Sequence, residues 1–301
     1  MKKSTRIWCA AAGIMIVAGL VFAVIGKAMG GDHAVARWIV NGDLSFGLLR
    51  DSHGNGYGDI KLNVEYPVQS GTVARTELQT AGQVENIMLQ VGGAEVKILD
   101  SGNDHYAYES SNAEEYQCYI AENTLYLRST DTMDFHSDKK EILLYIPFDN
   151  EFDSITLEVG GGIIRTDKIL HADTTEIEIG AGTLSMQGIR GDRLQAEIGA
   201  GVGELSDIAV KNADIEVGMG KFTFEGDVTE DLQADCAMGA MIFRMDSAQE
   251  AHNYEIECAM GNVKVGGDSY AGMAWEQTID HRTDSDYMLS CSMGEIEMQF
   301  R

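Results

Sequence analysis

Along residues 150–301 apolar and polar positions alternate, and a short glycine-ended tetrad interrupts the alternation at intervals. The tetrads read VGGG (159–162), IGAG (179–182), IGAG (198–201), VGMG (217–220), CAMG (236–239), CAMG (258–261) and CSMG (291–294). Their last glycines, Gly162, Gly182, Gly201, Gly220, Gly239, Gly261 and Gly294, are separated by 20, 19, 19, 19, 22 and 33 residues. Apolar residues alternate before the tetrads, as at Ile177 and Ile179, Ala196 and Ile198, or Ala234 and Cys236. They alternate again afterwards, as at Leu184 and Met186, Phe222 and Phe224, Met241 and Phe243, Val263 and Val265, or Ile296 and Met298. A period of two is the signature of a half-buried strand, so each unit predicts strand, glycine corner, strand, turn. Gly203 breaks the pattern where an inward side chain is expected. One such unit cannot bury its apolar face alone, whereas stacked copies share a core. The sequence therefore predicts an all-β fold: a parallel β-solenoid of about 19–22 residues per rung, regular over 150–301.

Upstream, VGGA at 91–94 reads as a degenerate copy of the tetrad. Strand-like runs at 105–110, 117–121, 124–129 and 141–147, with a hairpin turn at Glu122 and Asn123, extend or cap the stack, so the solenoid domain is expected over 83–301. Residues 266–287 read as a long loop off the sixth rung, and residues 30–82 as a loosely structured juxtamembrane stretch. The first residues follow another rule. After basic positions within 1–6, the 20 residues 7–26 carry no charge, about the length that crosses ~30 Å of hydrocarbon. They predict a single transmembrane helix over 7–29, with Lys27 at its far end. A cleaved signal peptide is the rival, with AVA at 34–36 as a poor cleavage site. Positive charge at 1–6 favours a cytoplasmic N-terminus and an extracytoplasmic remainder at the cell membrane.

Composition sharpens this picture in two ways. Gly at 34 residues and Pro at 2 suit a turn-rich strand protein. Of 22 Lys and Arg, four lie in the N-terminal segment, leaving 18 bases against 48 acids, a net charge of −30. So acidic a domain argues against nucleic acid or anionic lipid. The partners it leaves are the membrane itself through the N-terminal helix, an envelope protein or glycan, and cations.

Three cysteines, Cys236, Cys258 and Cys291, invite a metal or redox reading. Yet they occupy the position filled in earlier rungs by Val159, Ile179, Ile198 and Val217, an inward apolar column, and buried free Cys behaves as a small hydrophobe. In-register parallel neighbours ~4.8 Å apart suit a disulfide poorly, and no CxxC pair marks a zinc site. Cys9 lies in the apolar segment and Cys118 outside the repeat, so no disulfide framework is expected. Met219, Met238, Met260 and Met293 stand just before the corner glycine, where earlier rungs carry Gly161, Ala181 and Ala200; they read as adaptable filling of a corner gap.

Four positions before the corner glycine the chain reads Glu158, Glu178, Glu197, Glu216, Asp235, Glu257 and only then Ser290. This column alternates with the inward one, so it predicts six carboxylates on the solvent face. Neighbours ~4.8 Å apart repel by about 0.9 kcal/mol at water's dielectric, which a solvated face tolerates. Oxygen-rich columns also suit Ca²⁺. A retaining glycosidase holds two carboxylates about 5–5.5 Å apart, so a wall-polysaccharide hydrolase or lyase is the enzymatic alternative. Nothing singles out one pair, however, and no aromatic or Arg cluster marks a sugar subsite. The seven histidines show no ligand spacing, and DSHGNGYGD (51–59) lacks the closing acid of a Ca²⁺ loop. No nucleophile elbow, P-loop or dinucleotide fingerprint is present. The expectation is a non-enzyme without cofactor.

ENIMLQVGGAEVKIL (85–99), YIPFDNEFDSITLEVGGG (145–162) and the serial GAG rungs resemble the bacterial putative-adhesin, β-strand-repeat family. The resemblance covers about residues 83–301. It implies a right-handed parallel solenoid behind an N-terminal membrane segment, an extracytoplasmic place, and an adhesin-like or envelope-stress accessory role. It supplies no catalytic residues.

Overall fold

The computed structural model describes residues 69–80, 82–129, 141–147, 151–271 and 274–301. Two sheet faces enclose one apolar core. The first face passes, neighbour to neighbour and all parallel, through β5 (Thr124–Ser129), β2 (Asn86–Val91), β7 (Glu151–Val159), β9 (Leu170–Ile179), and the C-terminal halves of β10 (Thr183–Ile198) and β11 (Val202–Val217). It continues through β13 (Leu232–Cys236), β19 (Asp286–Cys291) and β15 (Asn253–Cys258). The second face passes through β6 (Glu141–Ile146), β3 (Glu95–Asp100), β8 (Ile163–Thr166) and the N-terminal halves of β10 and β11. It ends with β12 (Lys221–Val228), β14 (Ala240–Met245), β20 (Glu295–Phe300) and β16 (Asn262–Val265). Leu157, Val159, Ile164, Leu184, Ile198, Ile215 and Phe224 are among the residues that meet between the faces, all buried. The alternation read from the sequence is the alternation of burial along these strands.

The corner glycines are required by close approach rather than by a left-handed backbone, since none of the seven has positive φ. A methyl on Gly162 would lie 2.6 Å from the Ala94 carbonyl oxygen and 2.6 Å from Val91 Cγ1. On Gly294 it would lie 2.5 Å from both Cys236 Sγ and the Gly239 oxygen. Each corner therefore sits directly on the one below it. Where the alternation fails at Gly203, the ring of Phe222 on the next strand takes up the space, 2.8 Å from where a Cβ would stand.

Both ends of the stack depart from chain order. The sequence reading stacked the Cys291 rung outside the Cys258 rung. Instead β19 and β20 insert between β13/β14 and β15/β16, giving the spatial order Cys236, Cys291, Cys258. Residues expected to form a long loop at 266–287 contain β17 (Asp268–Ala271), antiparallel to β16, and β18 (Trp275–Ile279), antiparallel to β15. Antiparallel strands need only a tight turn, here with Gly266 at φ 58°, whereas the parallel return to β19 needs a crossover. The 33-residue spacing before Gly294 is that crossover. The opposite end is built alike. β2/β3 lies inside β5/β6, and β4 (Ala107–Ala121) runs antiparallel to both β5 and β6. Glu122 and Asn123 form the β4–β5 turn with φ of 48° and 59°, the hairpin geometry expected of them.

β1 (Gln69–Glu77) adds antiparallel to β4, so the sheet reaches into the stretch read as juxtamembrane. Among the described residues there is no α-helix, and no helix is long and apolar enough to cross a membrane. The apolar segment at 7–29, with the DSHGNGYGD turn, lies outside the described residues.

Candidate functional site

The carboxylate column is a ladder of five. Glu158 pairs in register with Glu178, Glu178 with Glu197, Glu197 with Glu216, and Glu216 with Asp235. The next position on the face is Ser290, and Glu257 follows it. The predicted run of six is thus broken, because the inserted β19 separates Glu257 from Asp235. At the other end Gln90 Nε2 donates to Glu158 Oε2 at 2.8 Å, so a neutral amide closes the ladder there.

Two residues earlier along each strand a second column faces the same way: Thr156, Glu176, Gln195, Asp214 and Gln233. Its acids, Glu176 and Asp214, escaped the sequence reading although they recur at a fixed six residues before the corner glycine. Thr156 Oγ1 donates to Glu176 Oε2 at 3.5 Å and Gln233 Nε2 to Asp235 Oδ2 at 2.8 Å. Together the columns line a shallow groove of about 130 Å³ bounded by Glu158, Glu176, Glu178, Glu197, Asp214 and Glu216. A second depression, about 340 Å³, adjoins it along Arg193, Asn212, Asp214, Gln233, Asp286 and Met288.

Crowding of like charge is visible in the proton affinities. Partial burial, then the charges of Glu178 and Glu216, push Glu197 up to about 7. Burial, then Glu158, raises Glu178; burial, then Asp235 and Asp214, raises Glu216. Asp214 is raised by burial and by Asp235, against the opposing Arg193, and its Oδ1 is buried without a hydrogen-bond partner. All four shifts share the same two causes, partial burial first and neighbouring carboxylates second.

Glu257 belongs to another group. With Glu255 and Glu276 it forms an exposed trio whose ligand-capable oxygens lie within 4.8 Å of one another. Glu276 comes from antiparallel β18, which carries no repeat signal, so the sequence could not place it here.

The three repeat cysteines are buried and free, and Cys118 is free too. Cys236 and Cys291 share a hydrogen bond that, followed by burial, pushes the Cys291 thiol well up; burial does the same for Cys258. The same hydrogen bond lowers Cys236, so the three are buried core thiols of which Cys258 and Cys291 are held protonated. Two of the four methionines just before the corner glycines differ from expectation, while Met219 and Met238 are partly buried. Met260 is 63% exposed and Met293 45%, so they fill no gap. His252 is a satisfied core histidine: Nδ1 meets Ser285 Oγ at 2.7 Å, Nε2 meets Ser247 Oγ at 2.8 Å, and the ring stacks on Tyr287.

Comparison with known proteins adds a family. No curated protein matches the chain. Among solved structures, a "putative adhesin" from Bacteroides fragilis is 12% identical, with a TM-score of 0.41 over 77% of this chain and 97% of that one. A "putative cell adhesion protein" from Clostridium sporogenes is 9% identical, with a TM-score of 0.31 over 78% and 100%. A "putative lipid binding protein" from Parabacteroides distasonis is 10% identical, with a TM-score of 0.36 over 75% and 96%. The family model for Toastrack DUF4097 matches residues 84–285, most of the described solenoid, and the chain belongs to that family.

Proposed function

We propose that the chain is a non-catalytic interaction module, anchored in the cell membrane by residues 7–29 with its solenoid on the extracytoplasmic side, and that the first sheet face engages a basic segment of an envelope protein. The observation that carries this reading is the uneven distribution of charge partners. Lys97–Glu141, Arg165–Glu95, Arg244–Glu225 and Lys264–Glu295 pair on the second face. The five ladder acids form no ion pair among the described residues. Exposed pairs contribute little to stability one by one, so the contrast bears on recognition. Unneutralised charge on one face raises the local concentration of cationic ligands and their association rate. A ligand that neutralises several ladder acids also relieves the repulsion that, after burial, raises Glu178, Glu197 and Glu216.

The hydrolase alternative gains less support. The groove at the ladder, about 130 Å³, is well below the ~300–1,000 Å³ of sites that enclose a small ligand, and the adjoining depression of about 340 Å³ is lined by none of the five ladder acids. The raised Glu197 is accounted for by partial burial and then by its equivalent neighbours Glu178 and Glu216. The test is titration of the full-length protein in detergent with a lysine-rich peptide, with CaCl₂, and with NaCl at matched ionic strength. Peptide binding that weakens with salt and in the Glu197→Gln, Glu216→Gln double variant supports the reading. Stabilisation by Ca²⁺ without peptide binding, or turnover of a wall glycan, would replace it. Protease accessibility on intact cells tests the extracytoplasmic placement separately.

A further inference from the structure

Four methionines form a continuous file along one corner of the stack. Met219 donates its backbone N–H to the Gly199 oxygen, Met238 to Gly218, Met293 to Ala237 and Met260 to Ser292. Each is thus one rung above the last, in the spatial order Met219, Met238, Met293, Met260. The inserted β19 sets the order of the file, placing Met293 between Met238 and Met260. Packing does not account for the outer two side chains. Met260 is 63% exposed and Met293 45%, whereas Met219 and Met238 are partly buried, and the same corner takes Gly161, Ala181 and Ala200 in the earlier rungs. An exposed thioether contributes no core volume. What it offers over alanine is a soft, polarisable donor on a side chain with three rotatable bonds.

We propose that this methionine file is a binding site for a soft monovalent metal ion, Cu(I) or its analogue Ag(I). Thioethers select such ions over hard cations and over metals that prefer imidazole or carboxylate. They also need no deprotonation, so the site is competent where thiolates are not formed. Rungs ~4.8 Å apart place three sulfurs from Met238, Met293 and Met260 within the reach of flexible side chains converging on one ion. Acids lie near the same end: Glu257 and Glu276 belong to the Cys258 rung and its cap, and their charge concentrates cations there. The thiols of Cys236 and Cys291 lie inside the same corner, against Gly294 and Gly261, yet they are buried in the core and turned away from the exposed file. They are not the ligands. The inference is independent of the carboxylate face and of the partner proposed for it.

The test uses full-length protein in detergent, with accessible thiols first blocked by N-ethylmaleimide. Ag(I) is the redox-stable probe in calorimetry, and Cu(I) is delivered against a chromogenic chelator. One ion per chain is expected, with sulfur-only coordination by X-ray absorption. Met→Leu conserves volume, so the Met238→Leu, Met293→Leu double variant should keep its melting temperature and lose affinity by about tenfold or more. A triple variant carrying Val at positions 236, 258 and 291 should retain binding. Unchanged affinity in the methionine variant, loss confined to the cysteine variant, or no saturable binding would each overturn the proposal.

Discussion

Cys236 and Cys291 are in-register neighbours on adjacent parallel strands, while the chain between them, residues 253–279, is stacked beyond Cys291. The last strands of the protein therefore act as a wedge. β15/β16 and its antiparallel cap rest on β19/β20 and, among the described residues, pair with no other rung. The free edge of β13/β14 would otherwise present unpaired backbone groups.

This arrangement predicts an outsized effect of C-terminal truncation. Removing residues 286–301 deletes one rung and leaves a second, β15/β16 with its antiparallel cap, without a seat. Limited proteolysis of the truncated chain should cut throughout 246–285 while 151–245 stays protected. Continued protection of 253–279 would show that this segment holds without the wedge.

A second prediction concerns the corner. Gly294→Ala puts a methyl against both Cys236 Sγ and the Gly239 oxygen, which cannot both yield, and should cost about 1–3 kcal/mol in urea unfolding. Adding Cys236→Ala should recover only part of that, because the carbonyl clash remains. Gly93→Ala is the control: nothing lies within 4 Å of a Cβ there, so its effect should be close to zero. Full rescue by Cys236→Ala would mean that the backbone contact is not the constraint.

The thiols supply a third. Cys236, Cys258 and Cys291 should resist alkylation in the native protein and react after denaturation, since each is buried. Val217 already directs Cγ1 at Gly239 as Cys236 directs Sγ at Gly294. Cys236→Val should therefore shift stability by less than about 1.5 kcal/mol, whereas Cys236→Asp buries a charge and should unfold the C-terminal rungs. Native-state alkylation of Cys236 at the rate of a free thiol would refute the core assignment.

The parts of the fold legible in the sequence were those written locally. Alternation gave the strands, and the tetrads gave the corners, because each corner glycine is imposed by the corner immediately beneath it. Ser290 shows what local pattern cannot carry. Its place between Asp235 and Glu257 depends on which strand edge the C-terminus joins, a pairing of distant segments with no trace in residue spacing beyond an unusually long interval. For the same reason Glu276, on an antiparallel cap, was invisible, and Met293 could not be seen beside Met238. Glu176 and Asp214 were legible and overlooked; they lie one period further along the same outward face.

The final prediction is a pH dependence of opposite sign to ordinary acid denaturation. Glu197 has its affinity for protons raised from 4.5 to about 7 in the folded state, so the folded chain holds this proton where the unfolded chain has lost it. The contribution is fully present below pH 4.5 and is lost as pH rises towards 7. Glu178 and Glu216 are shifted in the same direction, for the same reason. His252 works against them. Burial lowers it from 6.5, so its contribution is present above 6.5 and is lost as pH falls. The two are separable because Glu197→Gln leaves His252 in place. At pH 8 that variant should be more stable than wild type by on the order of 1 kcal/mol, a figure discounted for solvent screening of a partly exposed group. The gain should shrink with added salt, and it should vanish near pH 4.5, where wild-type Glu197 is protonated. Urea unfolding of both proteins from pH 4.5 to 8 reads this as converging curves at the acid end. Parallel curves would mean that Glu197 is not raised in the folded state, and a gain at pH 8 that does not respond to salt would mean that burial alone raises it.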